Sequence, residues 1–68
     1  MSVSYNRLWK LLIDKRMKKK DLALASGISP SSITKLTNNE NVTIDILMKI
    51  CIALDCALED IVEINAKI

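Results

Sequence analysis

The sequence has no histidine, no phenylalanine, one glycine and one proline among its 68 residues. It also lacks a glycine-rich phosphate loop and a paired nucleophile and base, so enzymatic chemistry has little support. Its two cysteines, Cys51 and Cys56, are five positions apart, which fits neither a metal pair nor a redox motif. We therefore expect no enzyme activity, no metal, no cofactor and no evident small-molecule ligand.

Signals for export or membrane insertion are missing as well. The amino terminus lacks the charged and then apolar pattern of a signal peptide. No apolar run approaches the roughly 20 residues that span a bilayer. We interpret both cysteines as buried, reduced thiols that point in different directions, as expected of a cytoplasmic protein with no membrane partner.

The scarcity of glycine and proline, in a chain that is 50% hydrophobic, favours an all-α fold. Apolar spacing and cap residues predict helices over 4–16, 19–26, 30–37, 44–54 and 58–62. The tail beyond Val62 stays ambiguous, because its apolar residues alternate as in a strand and also recur at a helical spacing. A chain of this length forms one small domain at most.

Charge is distributed unevenly along the chain. Residues 1–40 hold eight basic and three acidic residues, a net charge of +5, whereas residues 41–68 hold two basic and five acidic residues, a net charge of −3. This polarity suggests a polyanion bound on the basic side. A simply solvated charged face remains the alternative at this point.

The single glycine, Gly27, lies between two short predicted helices, 19–26 and 30–37. Glycine ends a helix at little cost in conformational energy, because it adopts the left-handed conformation without strain. Ser29 followed by Pro30 is a strong helix start, with a hydroxyl cap and then proline at the first helical position. Two short helices joined by a tight turn form a helix-turn-helix unit, which we place at about residues 19–37.

The second helix of this unit carries few large apolar side chains, only Ile33 and Leu36. A solvated helix would more often carry glutamate, yet no acid occurs between Asp21 and Glu40. Serine, threonine and lysine bond to base edges or phosphates, proline and threonine can touch a thymine methyl, and a carboxylate would repel phosphate. The composition predicts a helix whose outer face enters the major groove of double-stranded DNA.

The order of these segments resembles a known family. "KKKDLALASGISPSSITKLTNN", flanked by "LWKLLIDKRM" and "VTIDILMKICIALDCALEDIV", is similar to the phage-repressor and Cro type of helix-turn-helix domain, also called the XRE family. The resemblance covers about residues 5–63. It implies a compact five-helix bundle of the lambda-repressor-like type, with residues 1–68 as a single domain. It also implies operator DNA as partner, usually bound by a homodimer on an inverted repeat.

The resemblance assigns roles residue by residue. Base contacts are expected from Ser31, Ser32, Thr34 and Lys35, and phosphate contacts from Lys18, Lys19, Lys20 and Asn38. Thr34 has an alternative, because its hydroxyl can bond back to its own helix. The family usually places a glutamine at Lys19 to touch phosphate and brace the recognition helix; lysine keeps a phosphate donor but lacks the amide's acceptor. Any contact from Pro30 must be apolar.

The resulting hypothesis is sequence-specific DNA binding by a small transcriptional regulator, a repressor of a bacterium or phage. An antitoxin or a restriction-system controller would share this architecture. The alternative is a protein-interaction module that has lost DNA binding and holds a partner on an apolar arc of Trp9, Leu12 and Ile13.

Overall fold

The structure, a computed structural model, describes residues 2–65. In chain order its elements are strand β1 (Ser2–Ser4), helices α1 (Asn6–Asp14), α2 (Lys19–Ser26), α3 (Pro30–Thr37) and α4 (Ile44–Leu54), a 3-10 turn (Leu58–Asp60) and strand β2 (Glu63–Asn65). The part of the chain that the structure describes is thus mostly helical. Residues 66–68 of the ambiguous tail lie outside it.

The expected five-helix bundle is wrong in its last element. The chain makes only a three-residue 3-10 turn after α4 and then extends into β2, which pairs antiparallel with β1, Val3 opposite Ile64. The turn is closed locally, since the backbone N–H of Ala57 donates to the Asp60 carboxylate at 2.9 Å. The amino-terminal strand then supplies β2 with a partner about sixty residues away in sequence.

The core is aliphatic apart from one tyrosine. Side chains from all four α-helices and from the segments around them are buried: Tyr5, Leu8, Leu12, Leu22, Ile28, Leu36, Leu47, Ile50, Leu54 and Ile61. They form one cluster. Burial of apolar surface from every helix fixes where α2 and α3 sit relative to the rest of the chain.

Gly27 ends α2 in the left-handed conformation, with φ of +76°. Its backbone N–H donates to the carbonyl of Ala23 at 2.9 Å. Ser29 then caps α3, because its hydroxyl accepts from the backbone N–H of Ser32 at 3.3 Å. The turn and the cap predicted from "GISP" are both confirmed.

Replacing Gly27 by alanine is expected to destabilise the fold by about 1–2 kcal/mol, the cost of a left-handed L-residue. A Cβ at this position would meet no atom within 4 Å, so the backbone conformation alone carries the cost. Urea unfolding measures the change, and Gly27→Asn should lose less, because asparagine tolerates this conformation. Equal midpoints for Gly27→Ala and the unchanged chain would contradict this account of the turn.

Cys51 and Cys56 are free and half-buried. The left-handed Asp55 folds the chain back, so that the backbone N–H of Cys56 donates to the carbonyl of Cys51 at 3.0 Å. Burial, and then the neighbouring Cys51 thiol, raise the pKa of Cys56 to about 11. Cys56 is protonated at neutral pH and a poor nucleophile.

Within residues 2–65 the longest helix is α4, with 11 residues. None of the helices described there is long and apolar enough to cross a bilayer.

Candidate nucleic-acid interface

Helix α3 divides into a buried stripe and a polar exposed face. Ser32 and Leu36 are buried and Ile33 is half-buried, which docks the helix on the core. Ser31, Thr34 and Lys35 are exposed. Three of the four expected base-reading residues therefore share an accessible surface, which we call the α3 outer face.

Ser32 does not belong to this face. It is only 8% exposed, and its hydroxyl lies 3.1 Å from the Ser29 hydroxyl. This burial argues against the base-reading role expected for it. The sequence carried a signal for this placement, since Ser32 precedes the buried Leu36 by four residues and so lies on the same side of the helix.

The exposed hydroxyls of the face already have partners within the chain. Thr34 donates to the carbonyl of Pro30 at 3.2 Å, which is the back-bonded alternative considered for it. The Ser31 hydroxyl lies 2.9 Å from that of Ser29. Thr34 can therefore meet DNA with its methyl group while its proton stays on the helix, and Lys35 remains the strongest hydrogen-bond donor of the outer face.

Lys19 joins three helices. Its ammonium donates to the hydroxyl of Thr37 on α3 at 2.9 Å and lies 4.4 Å from the centre of the Trp9 ring on α1. The Thr37 hydroxyl can accept this bond because its own proton goes to the carbonyl of Ile33 at 3.0 Å. Lysine thus braces the recognition helix by a hydrogen bond and a cation–π contact. An ammonium has three protons, so a proton beyond the one donated to Thr37 is available for a phosphate.

Two substitutions at Lys19 separate its charge from its bracing. Lys19→Gln keeps an N–H donor for Thr37, whereas Lys19→Met keeps only an apolar stem. We expect both to weaken DNA binding about tenfold. The slope of log affinity against log salt concentration should become shallower by about 0.9, which is the contribution of one phosphate contact. Only Lys19→Met should also relax base preference, because α3 loses its brace. Titrations at several salt concentrations check the slope, and identical base preference in the two variants would contradict the bracing role.

The other expected phosphate contacts are exposed but less constrained. Lys18 caps α2, and its backbone N–H donates to the Asp21 carboxylate at 2.9 Å. Lys20 lies one position beyond Lys19 on the same exposed turn. Asn38 is the cap residue that follows α3, with its amide nitrogen 3.5 Å from the Glu40 carboxylate. All three side chains are accessible to a ligand.

Tyr5 is a residue of this region that the sequence did not reveal. It is buried, and its hydroxyl donates to the carbonyl of Glu40 at 2.7 Å. Its backbone N–H donates to the side-chain oxygen of Asn39, whose φ is +54°. Burial raises the pKa of the Tyr5 hydroxyl above its ordinary value, so it stays a donor. These bonds tie the loop after α3 to the start of α1.

The apolar arc of the alternative hypothesis is not assembled. Leu12 is only 3% exposed and belongs to the core, and Trp9 is half-buried beneath Lys19. Of the three residues only Ile13 is fully available, at 73% exposure. Trp9 also contacts α2 through Lys19.

Comparison with known proteins agrees with this geometry. A family model of the Cro/C1-type HTH DNA-binding domain matches residues 7–67. Among solved structures, the chain is similar to a crystal structure of the transcriptional regulator VanUg, with 53% identity and a TM-score of 0.88. That match covers 91% of this chain and 83% of the other. Among curated proteins, none matches this chain. The chain therefore belongs to the family of Cro/C1-type helix-turn-helix DNA-binding domains.

Proposed function

We propose that this protein is a small transcriptional repressor of a bacterium or phage, which acts in the cytoplasm and binds double-stranded DNA sequence-specifically. Residues 1–68 act as one domain with a helix-turn-helix unit at about 19–37. The α3 outer face enters the major groove, where Ser31, Thr34 and Lys35 meet base edges. Ser32, which is buried, is left out of this set.

The observation that carries the proposal is the exposed, acid-free outer face of α3, held beside the lysines of α2 through the Lys19–Thr37 bond. A groove-binding helix needs small and donor-bearing side chains at its outer face and a rigid position relative to the backbone contacts. This chain provides both. The transcriptional regulator to which it is 53% identical gives independent support.

Phosphate contacts from Lys18, Lys19, Lys20 and Asn38 would fix the register of α3 on the duplex. These residues lie at the start of α2 and at the end of α3. Such contacts position a protein without reading sequence and make its affinity depend steeply on salt.

We further propose a homodimer on an inverted repeat, because a single module of this size buries limited surface on DNA. Exposed apolar side chains on α4 support pairing. Ile44, Met48 and Ile52 are spaced four residues apart and are 61%, 55% and 77% exposed. A two-fold axis through Met48 would place Ile44 of each copy against Ile52 of the other.

The test is a selection of random duplex DNA by the purified protein near physiological salt. Enrichment of an inverted repeat supports both sequence-specific binding and the dimer, whereas a single short site supports binding and contradicts the dimer. Weak, salt-insensitive retention without enrichment would contradict DNA binding. Repression is tested separately, by transcription from a promoter that carries the enriched site.

A further inference from the structure

A shallow apolar hollow lies between the two helices of the helix-turn-helix unit. It has a volume of about 220 Å³ and is lined by Lys19, Lys20 and Ala23 of α2 and by Pro30 and Ile33 of α3. We call it the α2–α3 hollow. It opens beside the first turn of the recognition helix, since Pro30 is the first residue of α3.

The α2–α3 hollow offers alkyl surface at its centre and positive charge at its edge. Ala23, Pro30 and Ile33 carry no polar side-chain atom, and Pro30 has no backbone N–H. The carbonyl of Pro30 is already occupied by the Thr34 hydroxyl at 3.2 Å. Lys19 and Lys20 are both exposed and supply the cations. The hollow therefore fits a small apolar group that is carried close to an anion.

We propose that the α2–α3 hollow is a subsite for the 5-methyl group of a thymine. That methyl is the apolar group that base pairs present in the major groove, and the phosphates of its own strand would meet Lys19 and Lys20. The charge of the rim thus complements the DNA backbone while the alkyl walls receive the methyl. This subsite rests on the proposed DNA binding and adds to it a preference for thymine near the amino-terminal end of α3.

The test uses the enriched duplex with uracil replacing thymine, one position at a time. This replacement removes the methyl group and leaves every base-pairing and groove hydrogen bond in place. At one position of each half-site we expect a loss of affinity of about fourfold, since burial of one methyl group is worth about 0.8 kcal/mol. The other thymines should tolerate the change within about twofold.

Matched variants connect that position to the hollow. Ala23→Ser places a hydroxyl within it, and Ala25→Ser makes the same change at an exposed position of α2 outside it. Ala23→Ser should bring the thymine-to-uracil ratio of affinities close to one, and Ala25→Ser should leave it unchanged. Pro30→Ala removes most of one alkyl wall of the hollow. It provides a second test of the thymine-to-uracil ratio if Ala23→Ser disturbs folding.

Two results would overturn the subsite while leaving the proposed function intact. One is specific binding with equal affinity for every uracil-substituted duplex. The other is a uracil effect that both Ala23→Ser and Pro30→Ala leave unchanged. Failure to enrich any duplex would instead overturn the proposed DNA binding, on which the subsite depends.

Discussion

Replacing Lys35 by glutamate should weaken binding to the enriched duplex by about 100-fold or more near physiological salt. Lys35 is exposed on the α3 outer face and is the strongest donor there, because the Ser31 and Thr34 hydroxyls have partners within the chain. A good contact to a base edge contributes about 1–3 kcal/mol, and each 1.4 kcal/mol is about a tenfold change. The carboxylate would add repulsion from the phosphates. Fluorescence anisotropy with a labelled duplex measures the loss.

A matched charge reversal on another surface separates contact from overall charge. Lys10 is exposed on α1, where it lies beside Glu59 and Asp60. Lys10→Glu changes the net charge by the same amount, so long-range repulsion is common to both variants. We expect Lys10→Glu to lose less than about tenfold. Equal losses in the two variants would show that the protein attracts DNA through its net charge and that α3 does not read it.

Three of the four α-helices, among them both helices of the candidate interface, could be predicted with their observed bounds. Residues 19–26, 30–37 and 44–54 form α2, α3 and α4, each beginning and ending where predicted. Their ends are set by local chemistry, namely the left-handed Gly27, the Ser29 cap before Pro30 and the Thr43 cap. Information within a few residues of each boundary was sufficient, because caps and breakers act over a single turn.

Contacts between residues that are far apart in the chain could not be predicted from the sequence. The β1–β2 pair joins the two ends of the described chain, and Tyr5 bonds to Asn39 and Glu40, 34 and 35 positions away. Periodicity reports which side of an element faces inward and says nothing about the partner on the other side. The predicted first helix, 4–16, was therefore too long, because Ser4 belongs to a strand and Arg16 takes a positive φ of 57°.

The candidate interface was predictable at the level of a surface and less so for single side chains. The exposed outer face of α3 follows from composition and spacing. The expected role of Ser32 came from the family resemblance, whereas its spacing from Leu36 indicates the inward placement that the structure shows. The Lys19–Thr37 brace could not be predicted, since it depends on the crossing of two helices and on a threonine proton already committed to Ile33.

Replacing Leu36 by alanine should destabilise the fold by about 2–5 kcal/mol. Leu36 is fully buried, and only Ile33 accompanies it as a large apolar side chain of α3. A domain of this length has a total stability of about 3–10 kcal/mol, so the loss removes a large share of it. Urea unfolding followed by Trp9 fluorescence measures the change. The matched control is Leu24→Ala, a leucine of α2 that is 75% exposed and should cost less than about 0.5 kcal/mol.

The same variant distinguishes a residue that holds the recognition helix from one that reads DNA. Leu36 has no exposed surface and cannot touch a base, so Leu36→Ala should weaken binding only by depleting the folded state. A ligand that binds the folded state alone restores it by mass action. Excess duplex should therefore raise the unfolding temperature of Leu36→Ala with unchanged base preference. The Lys35→Glu variant should be folded with and without DNA, and excess duplex should raise its unfolding temperature only slightly. An altered base preference of Leu36→Ala at saturating DNA would mean that the buried side of α3 also determines how the α3 outer face contacts the bases.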